Sequence, residues 1–287
     1  MFFCSLNRNF VTMNCLEELK QHYGQHEGYA LYRLIMEECF ELSHTEILLG
    51  KDNQISTENQ ARLREITERL LKDEPIQYIL GYTYFHGHKF HTAPGALIPR
   101  PETELLVDAA LSIIKEGKAN VPPRVLDIGT GSGCIAISMA LTGCPTTAMD
   151  ISEEALAIAS KNAETLNANV NFIHENILHP QPNIQQWDII LSNPPYICLH
   201  EALEMERNVL YHEPHQALFV PDTDPLIFYR AIASYAASHL ASGGWLCLEI
   251  NQAYPKEMMN LLASFGFKDI NIALDQYGKN RIATAHI

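Results

Sequence analysis

Val125-Leu126-Asp127-Ile128-Gly129-Thr130-Gly131-Ser132-Gly133 reads as a buried strand, a glycine loop and the first turn of a helix. Glycines let the backbone come close to a ligand, and a helix N-terminus favours anions. A phosphate loop would end in Gly-Lys-Ser/Thr, whereas Cys134 follows Gly133. The dinucleotide fingerprint asks for Gly-x-Gly-x-x-Gly or Ala. Here the third glycine comes one position early and Cys134 holds the expected place. Asp127, just ahead of the loop, is poor company for a pyrophosphate and suits a cationic ligand. S-adenosylmethionine carries an ammonium, a sulfonium and a carboxylate, and no phosphate. Asp150, ending the next strand, is placed to accept hydrogen bonds from both ribose hydroxyls.

Outward from this loop the pattern alternates strand and helix. Strands are expected at 124–128, 146–150, 170–173, 187–192, 244–250, 268–274 and 281–285, and helices at 133–142, 153–168, 225–241 and 254–264. Such alternation predicts an α/β fold, Rossmann-like, with a mainly parallel sheet covered on both faces. Only Gln276-Tyr277-Gly278-Lys279 separates the last two strands, so that terminal pair should be antiparallel.

A second stretch carries the chemistry. The apolar run Trp187–Leu191 ends in Ser192 and then Asn193-Pro194-Pro195-Tyr196. This loop lies at the carboxyl end of an expected parallel strand, where open α/β sheets bind ligands. The prolines fix φ and remove two backbone donors, leaving an acceptor-rich motif built from the Asn193 side-chain oxygen and the Pro194 carbonyl. Tyr196 adds a flat face. Together they suit a planar amine-bearing group, either a carboxamide or an adenine amino group. Two acceptors on its hydrogens oppose delocalisation of the nitrogen lone pair and aim it at a methyl donor. No strong general base is required.

The front of the chain reads as helical. Helices are expected over 14–24 and 27–41. Ser43-His44-Thr45-Glu46 and Thr57-Glu58-Asn59-Gln60 read as capping boxes, the second opening a helix with Leu63, Ile66, Leu70 and Leu71 on one stripe. A short helix from Pro75 to Leu80 should close at Gly81. Alternating aromatics, glycine and histidine in 82–98 suggest a hairpin, and Pro99-Arg100-Pro101-Glu102 starts another helix. His86, His88 and His91 invite a metal reading, but no acid or cysteine is near in sequence, so no metal is expected.

The 287 residues carry a formal charge of −14. Residues 101–287 hold 21 acids and 10 bases, a balance that repels phosphate backbones and argues against a nucleic-acid partner. No run of about 18 apolar residues occurs, so no membrane span is expected. The start, Met1-Phe2-Phe3, lacks the features of a signal peptide, and Met13 is an alternative start. Seven widely spaced cysteines without a Cys-x-x-Cys fit reduced thiols in a cytoplasmic protein.

Taken together these stretches resemble the protein-(glutamine-N5) methyltransferases of class 1 peptide chain release factors. The resemblance covers nearly the whole chain. It rests on Glu74–Gly81 (EPIQYILG), Leu97–Glu104 (LIPRPETE), Asp127–Gly133 (DIGTGSG), Asn193–Ile197 (NPPYI) and His212–Leu218 (HEPHQAL), in that order. It implies a class I methyltransferase domain over 101–287 with seven strands, preceded by a helical substrate-docking domain over 1–81 and a hairpin linker over 82–100. It implies S-adenosyl-L-methionine as cofactor, held by Asp127, Gly129, Thr130, Gly131, Ser132, Gly133, Asp150 and Asn193. It implies a substrate site at Asn193, Pro194, Pro195 and Tyr196, with Asn193, Pro194 and Tyr196 catalytic. The partner would be the Gly-Gly-Gln loop of a release factor. Where the family carries an Asp and an aromatic near the adenine, this chain has Asn176 and Ile177. After HEPHQAL, Phe219–Asp224 replaces a glycine-rich turn. NPPY alone is shared with DNA and RNA adenine amino-methyltransferases, the alternative reading. A non-catalytic donor-binding adaptor and a nicotinamide oxidoreductase fit the two loops less well.

Overall fold

The computed structural model describes residues 2–118 and 122–287, with side chains from residue 11 onward. Its contacts divide the chain into two units, one running through Gly81 and including Glu206–His212, the other comprising Tyr82–Met205 and Glu213–Ile287.

In the first unit, α1 (Phe2–Tyr23), α2 (Gln25–Phe40), α3 (His44–Leu48), α4 (Thr57–Leu70) and α5 (Ile76–Leu80) enclose Leu19, Tyr32, Ile35, Met36, Leu63 and Leu70. Ser43 and Glu46 form the expected capping box on α3. The second box does not form as read. Ser56, one residue earlier, is the N-cap of α4, and its hydroxyl accepts the Asn59 amide at 3.1 Å. Thr57 is already helical, and Gln60 is buried with its amide donating to the Ile55 carbonyl. Gly81 closes α5 at φ 80°, a conformation cheap only for glycine.

The second unit opens with a hairpin, β1 (Tyr82–Phe85) and β2 (His88–His91). His86 and Gly87 both take positive φ and form its two-residue turn. His86 therefore does not share a strand face with His88, contrary to the simple alternation. Phe85 and Phe90 are fully buried and meet edge to face with ring centres 6.0 Å apart. After a 3₁₀ turn at Pro101–Thr103 come α6 (Glu104–Lys115), β3 (Val125–Ile128), α7 (Cys134–Leu141), β4 (Thr146–Asp150), α8 (Glu153–Thr165), β5 (Val170–His174) and β6 (Trp187–Ser192). Then follow β7 (Ile197–Cys198), α9 (Arg207–His212), β8 (Phe219–Val220), α10 (Ile227–His239), β9 (Leu240–Glu249), α11 (Pro255–Ser264), β10 (Lys268–Leu274) and β11 (Asn280–His286). The helix α9 clusters with the first unit, where the His212 ring lies 3.1 Å from the Lys72 carbonyl.

The seven-stranded sheet has the order β10-β11-β9-β6-β3-β4-β5. Strands β5, β4, β3, β6 and β9 run parallel, and β11 is antiparallel to both β9 and β10, as the short last connection requires. Strands β3 and β6 are buried at every residue, which is why both read as mainly apolar runs, each interrupted by one aspartate. Their side chains alternate between two cores. Leu126, Ile128 and Ile190 join Tyr229, Ile232 and Met258 on one face. Val125, Ile189 and Leu191 join Leu106, Val107 and Ile135 on the other. The expected boundary between the 225–241 helix and its following strand shifts, because Leu240 leaves the helix with extended backbone and pairs with Trp187. The two-residue pair of β7 with β8 has no periodicity long enough to read, yet it fixes the backbone after NPPY to Phe219-Val220. No described helix is long and apolar enough to cross a membrane.

Candidate active site

The carboxyl ends of β3, β4 and β6 surround a cavity of about 240 Å³. Gly129, Thr130, Gly131, Ser132, Asp150, Asn176, Ile177, Asn193, Pro194 and Pro195 all line it, so most residues singled out from sequence converge there. Three do not.

Asp127 is fully buried beneath the loop. Its Oδ2 accepts the Thr130 hydroxyl at 2.6 Å and the Ala136 amide at 3.2 Å, so the carboxylate braces the turn and the start of α7. Gly133 is likewise a packing residue. It sits at φ 83°, and a Cβ there would lie 2.9 Å from Ile137 Cδ1 and 3.0 Å from Ala159 Cβ. Gly133→Ala is expected to cost about 2–3 kcal/mol, seen as a lower urea midpoint with unchanged slope. Tyr196, read as a flat substrate platform, is outside the cavity wall. Its ring packs against the core beneath β6 and β9, and its hydroxyl donates to Glu249 Oε1 at 3.0 Å.

The loop is held from several sides. Gly129, Gly131 and Gly133 all adopt positive φ. Asp150 accepts the Gly131 amide at 2.8 Å and the Ser152 amide at 2.9 Å, tying β4 to the loop while both oxygens keep a further lone pair. Asn162, on α8 and buried, donates to the Ser132 carbonyl at 2.9 Å and clasps both backbone groups of His91. Beyond the end of β5, Asn176 Oδ1 accepts the Leu178 amide at 2.9 Å, so one lone pair of that oxygen is already committed. The wall opposite is anchored by Glu213, whose side chain accepts the Ile98 amide at 3.1 Å and the Arg100 guanidinium at 2.5 Å.

Asn193 follows β6 directly. Its Nδ2 donates to Thr103 Oγ1 at 3.2 Å, and Thr103 donates to Glu249 Oε2 at 2.7 Å. The carboxamide oxygen is left as the acceptor of this side chain. Sequence reasoning did not single out Asn162 or Glu249, and it quoted Thr103 and Glu213 within motifs without giving either a role. Glu249 carried a signal nonetheless, as an acid within the apolar run Trp245–Ile250.

Burial sets the electrostatics. It pushes the Asp127 carboxyl up to about 7, against the pull of Thr130 and Ala136, with Asp150 adding to the rise. Burial also raises Glu249. The Tyr196 phenol is held above the usual tyrosine range by burial and by Glu249. Cys134, at the head of α7, is pushed up to about 12 and is a packing residue.

The histidine-rich hairpin has an acid beside it that sequence distance concealed, with His86 Nε2 3.3 Å from Asp108. Among the described residues one trio, Cys198, His200 and Asp222, brings ligand-type atoms within 4.8 Å of each other. Two of its members, His200 and Asp222, form an exposed pair at 2.8 Å.

Residues 14–81 match the PrmC N-terminal domain family, and residues 104–217 match the methyltransferase small domain family. A release factor glutamine methyltransferase of Bacteroides thetaiotaomicron is 47% identical over 97% of this chain and 99% of its own length. The chain belongs to the release factor glutamine methyltransferase family. A second member, from Flavobacterium psychrophilum, is 40% identical over 96% of this chain and 98% of its own. Among solved structures, a methyltransferase from Pyrococcus furiosus shares the fold at 18% identity and a TM-score of 0.50, covering 76% of this chain and 95% of its own.

Family membership makes the protein an S-adenosylmethionine-dependent methyltransferase. The residues present fit that donor. The Gly129 and Gly131 backbones are bare, with nothing within 4 Å of where a Cβ would stand. Asp150 keeps acceptor capacity at the β4 end.

Proposed function

We propose that this protein transfers a methyl group from S-adenosylmethionine to the side-chain amide nitrogen of the glutamine in the Gly-Gly-Gln loop of peptide chain release factors. Bound S-adenosylmethionine supplies an electrophilic sulfonium methyl. Gly129–Ser132 and Asp150 would hold it on the loop, with Asn176 and Ile177 beside its adenine. Asn193 Oδ1 and the Pro194 carbonyl accept the two N–H groups of the glutamine amide. Accepting both disfavours delocalisation into the carbonyl and aims the nitrogen lone pair. Pro195 keeps that loop rigid, and Tyr196 anchors its far end. The nitrogen sheds its proton after transfer, to water or a carbonyl, so no strong base is needed.

The orientation of Asn193 carries this reading. With Nδ2 committed to Thr103, the group offered to a substrate is an acceptor. Near-full-length identity to release factor glutamine methyltransferases supports glutamine over adenine. The acidic balance points the same way, and we propose in addition that the protein works in the cytoplasm without nucleic-acid or membrane partners. Residues 1–81 would dock the release factor, 82–100 link, and 101–287 catalyse.

The test is incubation with labelled S-adenosylmethionine and a purified release factor carrying Gln or Ala in its Gly-Gly-Gln loop. Label is expected on the Gln form alone. Label on the Ala form, or on nucleic acid only, would overturn the proposal.

A further inference from the structure

We propose that Glu249, acting through Thr103, is the positioning residue that holds the Asn193 carboxamide with its oxygen toward the substrate. This rests on the reading of Asn193 as the amide acceptor and adds what sets its direction.

Glu249 ends β9, the parallel neighbour of β6, and is 2% exposed. An ionised carboxylate only accepts. The Thr103 hydroxyl, itself 2% exposed, has a single proton and gives it to Glu249 Oε2 at 2.7 Å. Toward Asn193, 3.2 Å away, Thr103 therefore presents lone pairs. A carboxamide turned the other way would set oxygen against oxygen with no proton between them. The anionic acceptor thus determines, two hydrogen bonds away, which end of Asn193 faces the cavity. The other carboxylate oxygen takes the Tyr196 hydroxyl at 3.0 Å, so both ends of Asn-Pro-Pro-Tyr hang on one buried acid.

Little else in the surroundings competes for this role. Arg281 on β11 lies 4.0 Å from Oε1 and is paired more closely with Asp275 at 3.0 Å. Glu102 raises the Glu249 carboxyl from the 3₁₀ turn, and the buried Cys134 of α7 feels its charge. Tyr229 on α10 donates to the Glu249 main-chain carbonyl, away from the carboxylate. Protonating Glu249 would free Thr103 to reverse and release Asn193, so turnover should fall as pH drops through an acid raised by burial.

Three variants separate positioning from packing. Thr103→Val keeps the shape and removes the relay; Thr103→Ser keeps the relay; Glu249→Gln removes the obligate double acceptor. Thr103→Val and Glu249→Gln are expected to lower kcat on the release factor about 10- to 100-fold. Donor Kd should stay within about threefold, because Glu249 does not line the cavity and Thr103, which does, lies outside the glycine loop and the ends of β4 and β5. Thr103→Ser should retain most of the activity, and Glu249→Gln should lose the acid limb of the kcat–pH profile. Wild-type kcat in Thr103→Val, equal loss in Thr103→Ser, or donor affinity falling in step with kcat would each overturn the inference.

A second measurement does not depend on turnover. The Asn193 side-chain NH₂ resonances, assigned by their loss in Asn193→Ala, should shift and exchange faster in Thr103→Val and Glu249→Gln but not in Thr103→Ser. Unmoved resonances would also overturn it. A wild-type protein inactive on the release factor would instead defeat the proposed function and leave this measurement standing.

Discussion

Asn193→Ala is expected to lower kcat for methyl transfer by about 10²–10³-fold. Donor affinity should fall by less than about tenfold. The asymmetry follows from position. The proposed donor contacts are distributed over the glycine loop and the ends of β4 and β5, where Gly129–Ser132, Asp150 and Asn176 line the cavity. Alanine at 193 leaves those untouched. It removes the side-chain acceptor that opposes delocalisation in the target amide, and the Pro194 carbonyl alone cannot satisfy both N–H groups. Single-turnover transfer with labelled donor and a direct donor titration together check this. Equal loss in both would mean that Asn193 serves chiefly to hold the donor.

A second large effect is expected in stability. Burial without a counter-charge raises the Asp127 carboxyl from 3.8 to about 7. The folded state then holds this proton more tightly than the unfolded chain does. Stability from this group is fully present below its unfolded pKa and is lost as pH rises through the folded one. Over pH 4 to 7 the ligand-free protein should therefore give up about 3 kcal/mol at this residue. Glu249, also raised by burial, acts with the same sign. Glu74 and Asp224, lowered by their arginine partners, act with the opposite sign at lower pH. Urea midpoints of wild type and Asp127→Asn across pH 4–8 isolate the contribution. The variant should lose less stability across that range, and parallel curves would count against a raised Asp127.

Much of the fold is legible because its causes are local. Strands β3 and β6 announce themselves as apolar runs buried on both faces, and β4, β6 and β10 fall on the expected residues. The five-residue connection before β11 leaves no room for a crossover, hence the antiparallel end of the sheet. Errors gather where a competing local choice is nearly equivalent. Ser56 outcompetes Thr57 as a cap because a shift of one residue leaves the apolar stripe of α4 intact. The hairpin turn takes His86 out of its strand because Gly87 and a positive φ at His86 favour a two-residue loop.

The site divides along similar lines. The glycine loop, the acid at the end of β4 and Asn-Pro-Pro were readable because glycine, proline and strand ends act within a few residues of themselves. Asp127 was placed correctly beside the loop but assigned to the ligand, whereas burial turns it into a brace. Tyr196 was read as a platform, whereas its hydroxyl is spent on Glu249.

By itself the sequence determined the strand order's raw material, the glycine loop and the presence of an acceptor at 193, since periodicity and backbone preference are short-range. Only the tertiary structure decided which way that acceptor faces. Thr103 and Glu249 are far from Asn193 along the chain, and the parallel pairing of β6 with β9 brings Glu249 beside it. The direction of a hydrogen-bond relay depends on which buried group can only accept, and no local pattern encodes that meeting.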